Sequence, residues 1–300
     1  MINSATDALV TVRDCLRWAV SRFNEAGLSY GHGTENAWDE AVWLVLATLH
    51  LPRDTLEPWL DARLTHGERL ALLDMLQQRV AHRMPTAYLL HEAWLGEFRF
   101  FVDQRVIVPR SYFAELLEDG FAPWIEDPDA VGSALDLCTG SGCLAVLMAH
   151  AFPNAAIDAI DISPDALVVA CRNIADYGLN ERVSAIESDL FAAVPDKRYD
   201  LIICNPPYVT AQAMAALPAE YHHEPALALA AGADGLDVVR RILAEAAAHL
   251  NPGGVIAIEV GHNQHLVTAA FPELNAVWLD TEHAAGKIFL VTREDLPPVP

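Results

Sequence analysis

The chain has 300 residues, enough for one large domain or two smaller ones, and 53% of them are hydrophobic. Its 41 acidic and 19 basic residues give a net charge of −22, so we expect a basic protein partner and no direct nucleic-acid substrate. No apolar run approaches the roughly 18 residues of a membrane span, and no basic-then-apolar leader begins the chain. Five cysteines without CxxC spacing predict reduced thiols, a cytoplasmic location and no metal site.

The first third of the chain has the apolar spacing of helices, from residue 6 to about residue 90. Gly27 closes the first predicted helix, and Pro52 and Pro58 punctuate the connection before the third. The third predicted helix spans residues 65–82. Its inner face is predicted to carry four apolar residues at helical spacing, Leu70, Leu73, Leu76 and Val80.

The periodicity changes after the helical region. Trp94–Val102 and Arg105–Val108 are rich in aromatic and β-branched residues and flank Asp103-Gln104, which predicts a β-hairpin. The chain is therefore divided into three predicted parts: a helical domain of residues 1–92, a β-hairpin linker of residues 93–110, and a second domain of residues 111–300.

Strands and helices alternate beyond Gly132, which predicts an α/β fold with a mainly parallel sheet covered on both faces. Predicted helices begin near residues 143, 164, 211, 236 and 264. The seven predicted strands are Ser133–Leu137, Ala156–Ile160, Val183–Ile186, Leu201–Cys204, Val255–Val260, Ala276–Leu279 and Lys287–Val291.

A polar corner follows the fourth predicted strand: Asn205, Pro206, Pro207 and Tyr208. The prolines end the strand and leave its last carbonyl oxygens free. Asn205 adds an amide side chain, and Tyr208 adds a flat ring with a polar tip. Such a corner can hold a planar group that bears an NH2, although an Asn-Pro turn without a function is the alternative.

A glycine loop follows the first strand of the sheet. Gly140 and Gly142 allow the backbone to approach a ligand closely, at the edge where open parallel sheets bind ligands. Asp161 ends the next strand, roughly 20 residues further on, where ribose hydroxyls are commonly bound. The third strand is followed by Asp189 and Leu190, a polar group and an apolar wall for an adenine. Polar residues thus follow four successive strands and predict a shared nucleoside site: Asp136, Asp161, Asp189 and Asn205.

The stretch Asp136-Leu137-Cys138-Thr139-Gly140-Ser141-Gly142, with Asp161, resembles the cofactor motif of class I S-adenosylmethionine-dependent methyltransferases. The corner at Asn205–Tyr208 is similar to that of members that methylate amino and amide nitrogens. Arg83–Tyr88, Val108–Arg110 and the stretch from His223 to Leu236 resemble the protein glutamine methyltransferases.

That resemblance implies a Rossmann-like seven-stranded methyltransferase domain, preceded by a helical bundle that recognises the substrate. The cofactor it implies is S-adenosylmethionine. The implied cofactor-binding residues are Asp136, Cys138, Thr139, Gly140, Ser141, Gly142, Asp161, Ile162, Asp189, Leu190 and Asn205. The implied catalytic residues are Asn205, Pro206, Pro207 and Tyr208.

The family has two branches, one acting on peptide release factors and one on the third-numbered protein of the large ribosomal subunit. The release-factor branch usually shows Pro-Arg-Pro-x-Thr-Glu, whereas this chain has Pro109-Arg110-Ser111-Tyr112-Phe113-Ala114-Glu115. Tyr30–Thr34 also resembles the ribosomal branch, so a basic ribosomal protein is the expected substrate. The alternatives are a release-factor glutamine, a DNA adenine, and a non-catalytic module for ribosome assembly. The charge argues against DNA, and the intact corner argues against a module that only binds.

Overall fold

The computed structural model describes residues 7–283 and 285–296. Residues 1–6 of the predicted first domain, and residues 284 and 297–300 of the predicted last domain, lie outside the described residues. The described residues form two compact units. The first contains the residues up to Ala93 together with Pro218–His223, and the second contains Trp94–Leu217 and the residues from Glu224 onward. The return of Pro218–His223 to the helical unit was not predicted from the sequence.

The first unit is helical, as predicted. Its helices are α1 Val12–Ala26, α2 Ala37–Thr48, α3 His66–His82 and α4 Thr86–Leu90. Helix α1 begins with a capping box, in which Thr11 and Asp14 bond each other's backbone amides. None of the helices in the described parts of the chain is both long and apolar enough to span a membrane.

The inner face of α3 differs from the prediction. Leu70 is 44% exposed, while Leu72 and Arg79 are buried beside the predicted Leu73 and Leu76. Apolar spacing alone could not place an arginine on the buried face of a helix, because burial of a guanidinium is costly unless it is paired. The partners come from distant parts of the chain.

Arg79 lies in a buried ion cluster of the helical unit. It donates from Nε to Glu40 Oε1 and from Nη2 to the carbonyl oxygen of Ser29 at 2.9 Å. Its Nη1 lies 3.4 Å from Oε1 of Glu220, a residue of the return segment that is only 1% exposed. Arg83 Nη1 also donates to Glu220 Oε1, at 3.2 Å. The return segment is therefore anchored in the helical unit by charge pairing.

The predicted hairpin is wrong in its strand pairing. The two strands are β1 Ala93–Leu95 and β2 Phe98–Phe100, joined at Gly96, which has φ +59°. Residues 101–108, all described, contain no strand. The aromatic content of 94–102 suggested one continuous strand, but the glycine inside it allows the tight turn that splits it.

The second unit contains α5 Phe113–Glu118 and then the predicted α/β alternation. Within the described residues one sheet has seven strands, in the order β5-β4-β3-β6-β7-β9-β8. The strands are β3 Ser133–Leu137, β4 Ala156–Asp161, β5 Val183–Glu187, β6 Tyr199–Cys204, β7 Leu250–Glu259, β8 Val277–Asp280 and β9 Ala285–Thr292. The helices are α6 Cys143–Ala151, α7 Pro164–Asp176, α8 Ala211–Met214, α9 Asp237–Glu245 and α10 Gln264–Ala270. The seven-stranded α/β prediction is confirmed.

Register brings the ends of four strands to one edge. Leu137 of β3 pairs in parallel with both Ile160 of β4 and Cys204 of β6. Cys204 in turn pairs with Ile258 of β7. Strand β9 runs antiparallel to β7 and β8. Apolar clusters bury both faces of this sheet, so the residues that follow these strand ends are the ones left to form a site.

We predict that Arg79→Ala destabilises the helical unit by about 3–5 kcal/mol, because it leaves Glu40 buried without the Arg79 guanidinium and removes one of the two guanidinium groups that pair with Glu220. Urea unfolding followed by circular dichroism measures the change. Arg22→Ala, which removes an exposed pair with Glu25, is the control and is expected to cost less than about 1 kcal/mol. Equal effects of the two substitutions would contradict the account of the cluster.

Candidate active site

Asp136 holds the glycine loop from beneath. Its Oδ2 accepts from Thr139 Oγ1 at 2.5 Å and from the amide of Ala145 at 2.9 Å. Burial raises the pKa of Asp136 to about 7, against the opposing effect of these two bonds. Its other oxygen, Oδ1, is buried and has no hydrogen-bond partner among the described residues. A buried acceptor that lacks a donor suits a site in which a bound ligand supplies the hydrogen-bond donor.

Asp161 holds the loop from the next strand. Its Oδ2 accepts from the Gly140 amide at 2.8 Å, and its Oδ1 accepts from the Ser163 amide at 2.9 Å. Burial raises its pKa, while these backbone N–H bonds lower it. Each carboxylate oxygen has more than one lone pair, so both can accept a further hydrogen bond from a ligand hydroxyl.

The last glycine of the loop permits close helix packing. Gly142 has φ +78°, and a Cβ placed there would lie 3.1 Å from Cβ of Ala170 in α7. Beside it, the carbonyl oxygen of Ser141 accepts from Asn173 Nδ2 at 2.8 Å. The loop is therefore held by contacts of its own residues with the surrounding core, those of Thr139, Ser141 and Gly142.

A cavity of about 200 Å³ lies at this edge of the sheet. Eight of the predicted site residues line it: Cys138, Gly140, Asp161, Ile162, Asp189, Leu190, Asn205 and Pro207. Both the glycine loop and the polar corner therefore face one space. The other predicted residues, Asp136, Thr139, Ser141, Gly142, Pro206 and Tyr208, are not among the residues that line it.

Further lining residues were not predicted. They come from the stretch after β2, from the start of α7, and from the segment after the return to the second unit: Arg105, Val106, Ile107, Ser163, Ala166, Ser188, Pro225, Leu227, Ala228, Ala230, Val238 and Arg241. Arg241 pairs with Asp189 at 2.9 Å, so the polar group expected after the third strand already has a cation beside it. No motif spacing and no apolar periodicity in the sequence marks these residues as lining the cavity.

The corner after β6 is held by glycines and an asparagine. A Cβ at Gly261, whose φ is +54°, would lie 2.8 Å from Cε2 of Tyr208, so the ring packs directly on this backbone. Asn263 Nδ2 donates to the Tyr208 carbonyl oxygen at 2.7 Å. Pro206 is buried, and Asn205 is partly exposed to the cavity. Tyr208 thus contacts Gly261 through its ring and Asn263 through its backbone carbonyl.

An ion pair in the second unit joins two of the stretches that resemble the protein glutamine methyltransferases, Val108–Arg110 and the one from His223 to Leu236. Arg110 donates from Nη1 and Nη2 to the two carboxylate oxygens of Glu224, at 2.6 and 2.7 Å. The Val108 amide donates to the same carboxylate at 3.0 Å. No sequence signal could pair charges separated by 114 positions. As for metals, no group of three His, Cys, Asp or Glu within residues 7–283 and 285–296 is placed to hold an ion.

Family comparisons match both units. A family model described as "Methyltransferase small domain" matches residues 121–221, and one described as "PrmC N-terminal domain" matches residues 14–90. Among solved structures, the hMettl16 catalytic domain in complex with MAT2A 3'UTR hairpin 6 aligns with a TM-score of 0.50 and 15% identity. The alignment covers 78% of this chain and 84% of that one, and it supports the fold alone.

Curated relatives match over nearly the whole chain. The "Ribosomal protein uL3 glutamine methyltransferase" of Bordetella pertussis is 57% identical over 296 residues, covering 99% of both chains. The protein of that name from Neisseria gonorrhoeae is also 57% identical, with 99% of both chains covered. The one from Bradyrhizobium diazoefficiens is 52% identical and covers 96% of this chain and 92% of its own.

We predict that the pH dependence of stability changes in Asp136→Asn. Because the folded-state pKa is raised, the folded chain keeps a proton that the unfolded chain has lost, so this contribution to stability is complete below about pH 4 and is lost as pH rises through about 7. The free energy of unfolding of the unmodified chain should fall between about pH 4 and 7 more steeply than that of the variant, by up to roughly 1.4 kcal/mol per pH unit.

Urea unfolding at several pH values measures this difference. Asp196→Asn, an exposed position, is the control and should keep the profile of the unmodified chain. Parallel profiles for Asp136→Asn and the unmodified chain would contradict the assignment.

Proposed function

Because the chain belongs to the family of the ribosomal protein uL3 glutamine methyltransferases, we propose that it methylates the side-chain amide nitrogen of a glutamine in uL3. The methyl donor is S-adenosylmethionine. The single observation that carries the proposal is that the glycine loop and the Asn205 corner line one cavity. A methyl donor held by the loop and an amide held by the corner then meet in the same space.

The residues at the cavity fit the cofactor. Asp161 keeps acceptor capacity for ribose hydroxyls after bonding two backbone amides. Ile162 and Leu190 line the cavity and supply apolar walls for the adenine. Asp136, which is not among the lining residues, supports the glycine loop from behind through Thr139 and Ala145. When bound, S-adenosylmethionine supplies an electrophilic methyl group on a sulfonium sulfur. The role of the chain is to fix the direction from which a nucleophile reaches it.

The corner acts on the substrate amide. An amide nitrogen is a weak nucleophile because its lone pair is delocalised into the carbonyl group. Oδ1 of Asn205 and the carbonyl oxygen of Pro206 accept its two N–H groups, which fixes the nitrogen and raises its electron density. Tyr208, whose ring contacts Gly261, stacks on the amide plane. Orientation of this kind can supply several kcal/mol of the barrier, and the two acceptors stabilise the positive charge that develops on nitrogen.

The charge of the chain is consistent with a basic ribosomal substrate. With a net charge of −22, the enzyme attracts a cationic protein and repels free nucleic acid. Recognition of the target belongs to the helical unit in this proposal. Relatives named for uL3 at 52–57% identity favour the ribosomal protein over a release factor. The reaction then takes place in the cytoplasm, where ribosomal proteins are made.

The direct test is methylation of separated substrates with labelled S-adenosylmethionine. We predict that uL3 gains label on a glutamine, while release factors and DNA do not. Peptide mass spectrometry should find a gain of one methyl group on that glutamine. Label on release factors with none on uL3 would overturn the substrate, and label on neither would overturn the activity.

Two substitutions should separate the two halves of the site. Asn205→Ala is predicted to lower the rate of methyl transfer at least 100-fold while changing the Kd for S-adenosylmethionine less than about threefold, because it removes only an amide acceptor. Asp161→Ala is predicted to raise that Kd at least 10-fold, because the ribose acceptor is lost. Calorimetric titration and a transfer assay measure both, and each variant serves as the control for the other. Near-normal turnover in Asn205→Ala would rule out its role.

A further inference from the structure

Glu259 is a buried carboxyl group next to the catalytic corner. It is the last residue of β7, the strand that pairs with β6, and it is 1% exposed. Cys204 and Ile258 are registered partners that belong to one apolar cluster, while Ile203 and Ala257, one position earlier, belong to the cluster on the other face.

Because side chains alternate between faces along a strand, Glu259, the last residue of β7, points to the face of Ala257. Asn205 directly follows Cys204, the strand partner of Ile258, so Glu259 and Asn205 lie at the same end of two neighbouring strands.

The carboxyl group of Glu259 holds a second stretch of chain. Its Oε2 accepts from Ser111 Oγ at 2.5 Å and from the Tyr112 amide at 3.2 Å. Ser111 Oγ also accepts from the amide of Phe113, the first residue of α5, at 3.2 Å. Phe113 packs in the apolar cluster on the same face as Ile203. Glu259 therefore fixes the start of helix α5 against the end of β7, the strand next to β6.

The same stretch is anchored a second time, nearer its middle. Glu224 binds the Val108 amide and the Arg110 guanidinium, as described above. Residues 105–107 line the cavity that Asn205 also lines. Residues 105–112, here called the clamped segment, thus run from the cavity wall to Glu259, and two buried glutamates hold them: Glu224 at residues 108 and 110, and Glu259 at residues 111 and 112.

Packing alone does not require a carboxyl group at position 259. Its burial is unfavourable for the charged form and raises the pKa of Glu259 to about 7. The hydrogen bonds from Ser111 and Tyr112 both go to Oε2, so they persist when the other oxygen carries a proton. An apolar residue would fill the space without this cost but could not hold the Ser111 hydroxyl or the Tyr112 amide.

We propose that Glu259 is a positioning residue for methyl transfer, which holds the clamped segment beside Asn205 and so sets the path by which the glutamine side chain reaches the corner. This inference rests on the proposed function, since it assumes that an amide is bound at Asn205. Glu259 does not touch the reacting atoms. It acts through Ser111 and Tyr112 on the geometry of the acceptor.

The test compares Glu259→Ala, Glu259→Gln, Ser111→Ala and the double variant Glu259→Ala/Ser111→Ala in steady-state kinetics with uL3. Glu259→Ala and Ser111→Ala should each lower kcat/KM for uL3 by 10- to 100-fold while changing the Kd for S-adenosylmethionine less than about threefold. Glu259→Gln keeps an acceptor oxygen and should stay within about threefold of the unmodified chain. The double variant should be no worse than Glu259→Ala, because both changes remove the same contact.

A matched control lies at the opposite edge of the same sheet. Asp200 of β6 accepts from Ser133 Oγ at 3.2 Å and from the amides of Gly132 and Ser133. Ser133→Ala repeats the loss of a serine–carboxylate bond far from Asn205 along the strand, and it should leave kcat/KM for uL3 within about twofold.

The outcomes separate this inference from the proposed function. Unchanged kinetics in both Glu259→Ala and Ser111→Ala would overturn it, and so would an equal loss in Ser133→Ala, because that loss would reflect general stability. If Glu259→Ala does not fold, Ser111→Ala is compared with Ser111→Thr, which keeps a hydroxyl. Only Ser111→Ala should then lose activity, and equal kinetics of the two variants would overturn the inference. Failure of the unmodified chain to methylate uL3 would instead reject the proposed function.

Discussion

The parallel pairing of β3 with β6 is the constraint on which the rest of the structure depends. It sets Leu137 beside Cys204, so the glycine loop and the prolyl corner emerge at the same edge of the sheet. Because both strands are buried on both faces, a one-residue shift of register would turn every side chain into the opposite, differently packed cluster and is strongly disfavoured. The distance between the glycine loop and the prolyl corner is therefore set by the core.

Carboxylate side chains hold backbone amides at several places in the second unit. Asp136 binds the Ala145 amide, Asp161 the Gly140 amide, Glu224 the Val108 amide and Glu259 the Tyr112 amide. In each case a side chain supplies the acceptor that a strand or helix would otherwise give to a backbone N–H group. Part of the acidic excess of the chain is thus structural, and in the proposed function only the remainder acts on a basic substrate. Charge counted from composition cannot separate these two uses.

Most of the fold could be predicted because its signals are local. Runs of β-branched residues between helical periods gave all seven strands of the large sheet. β7 begins earlier than predicted, at Leu250, and the register shift beside Tyr199 accommodates Pro252, Gly253 and Gly254 within the strand. The hairpin was wrong because Gly96 lies inside an aromatic run. The inner face of α3 was wrong at Leu70, which is 44% exposed, and it missed Arg79, which is buried because its carboxylate partners come from positions distant in sequence.

The candidate site divides in the same way. Residues that follow strand ends, such as Asp161 and Asn205, could be placed from the sequence because parallel strands end together. The clamped segment and its glutamates could not, because their contacts join residues more than 100 positions apart. The proposed function requires the methyl donor and the glutamine amide to bind in one cavity, which a crystal structure with S-adenosylhomocysteine and a glutamine peptide would show. We expect the cofactor sulfur to face the corner and the glutamine amide to be hydrogen-bonded to Asn205 Oδ1. A sulfur turned away from Asn205, or an amide bound elsewhere, would contradict the proposed function.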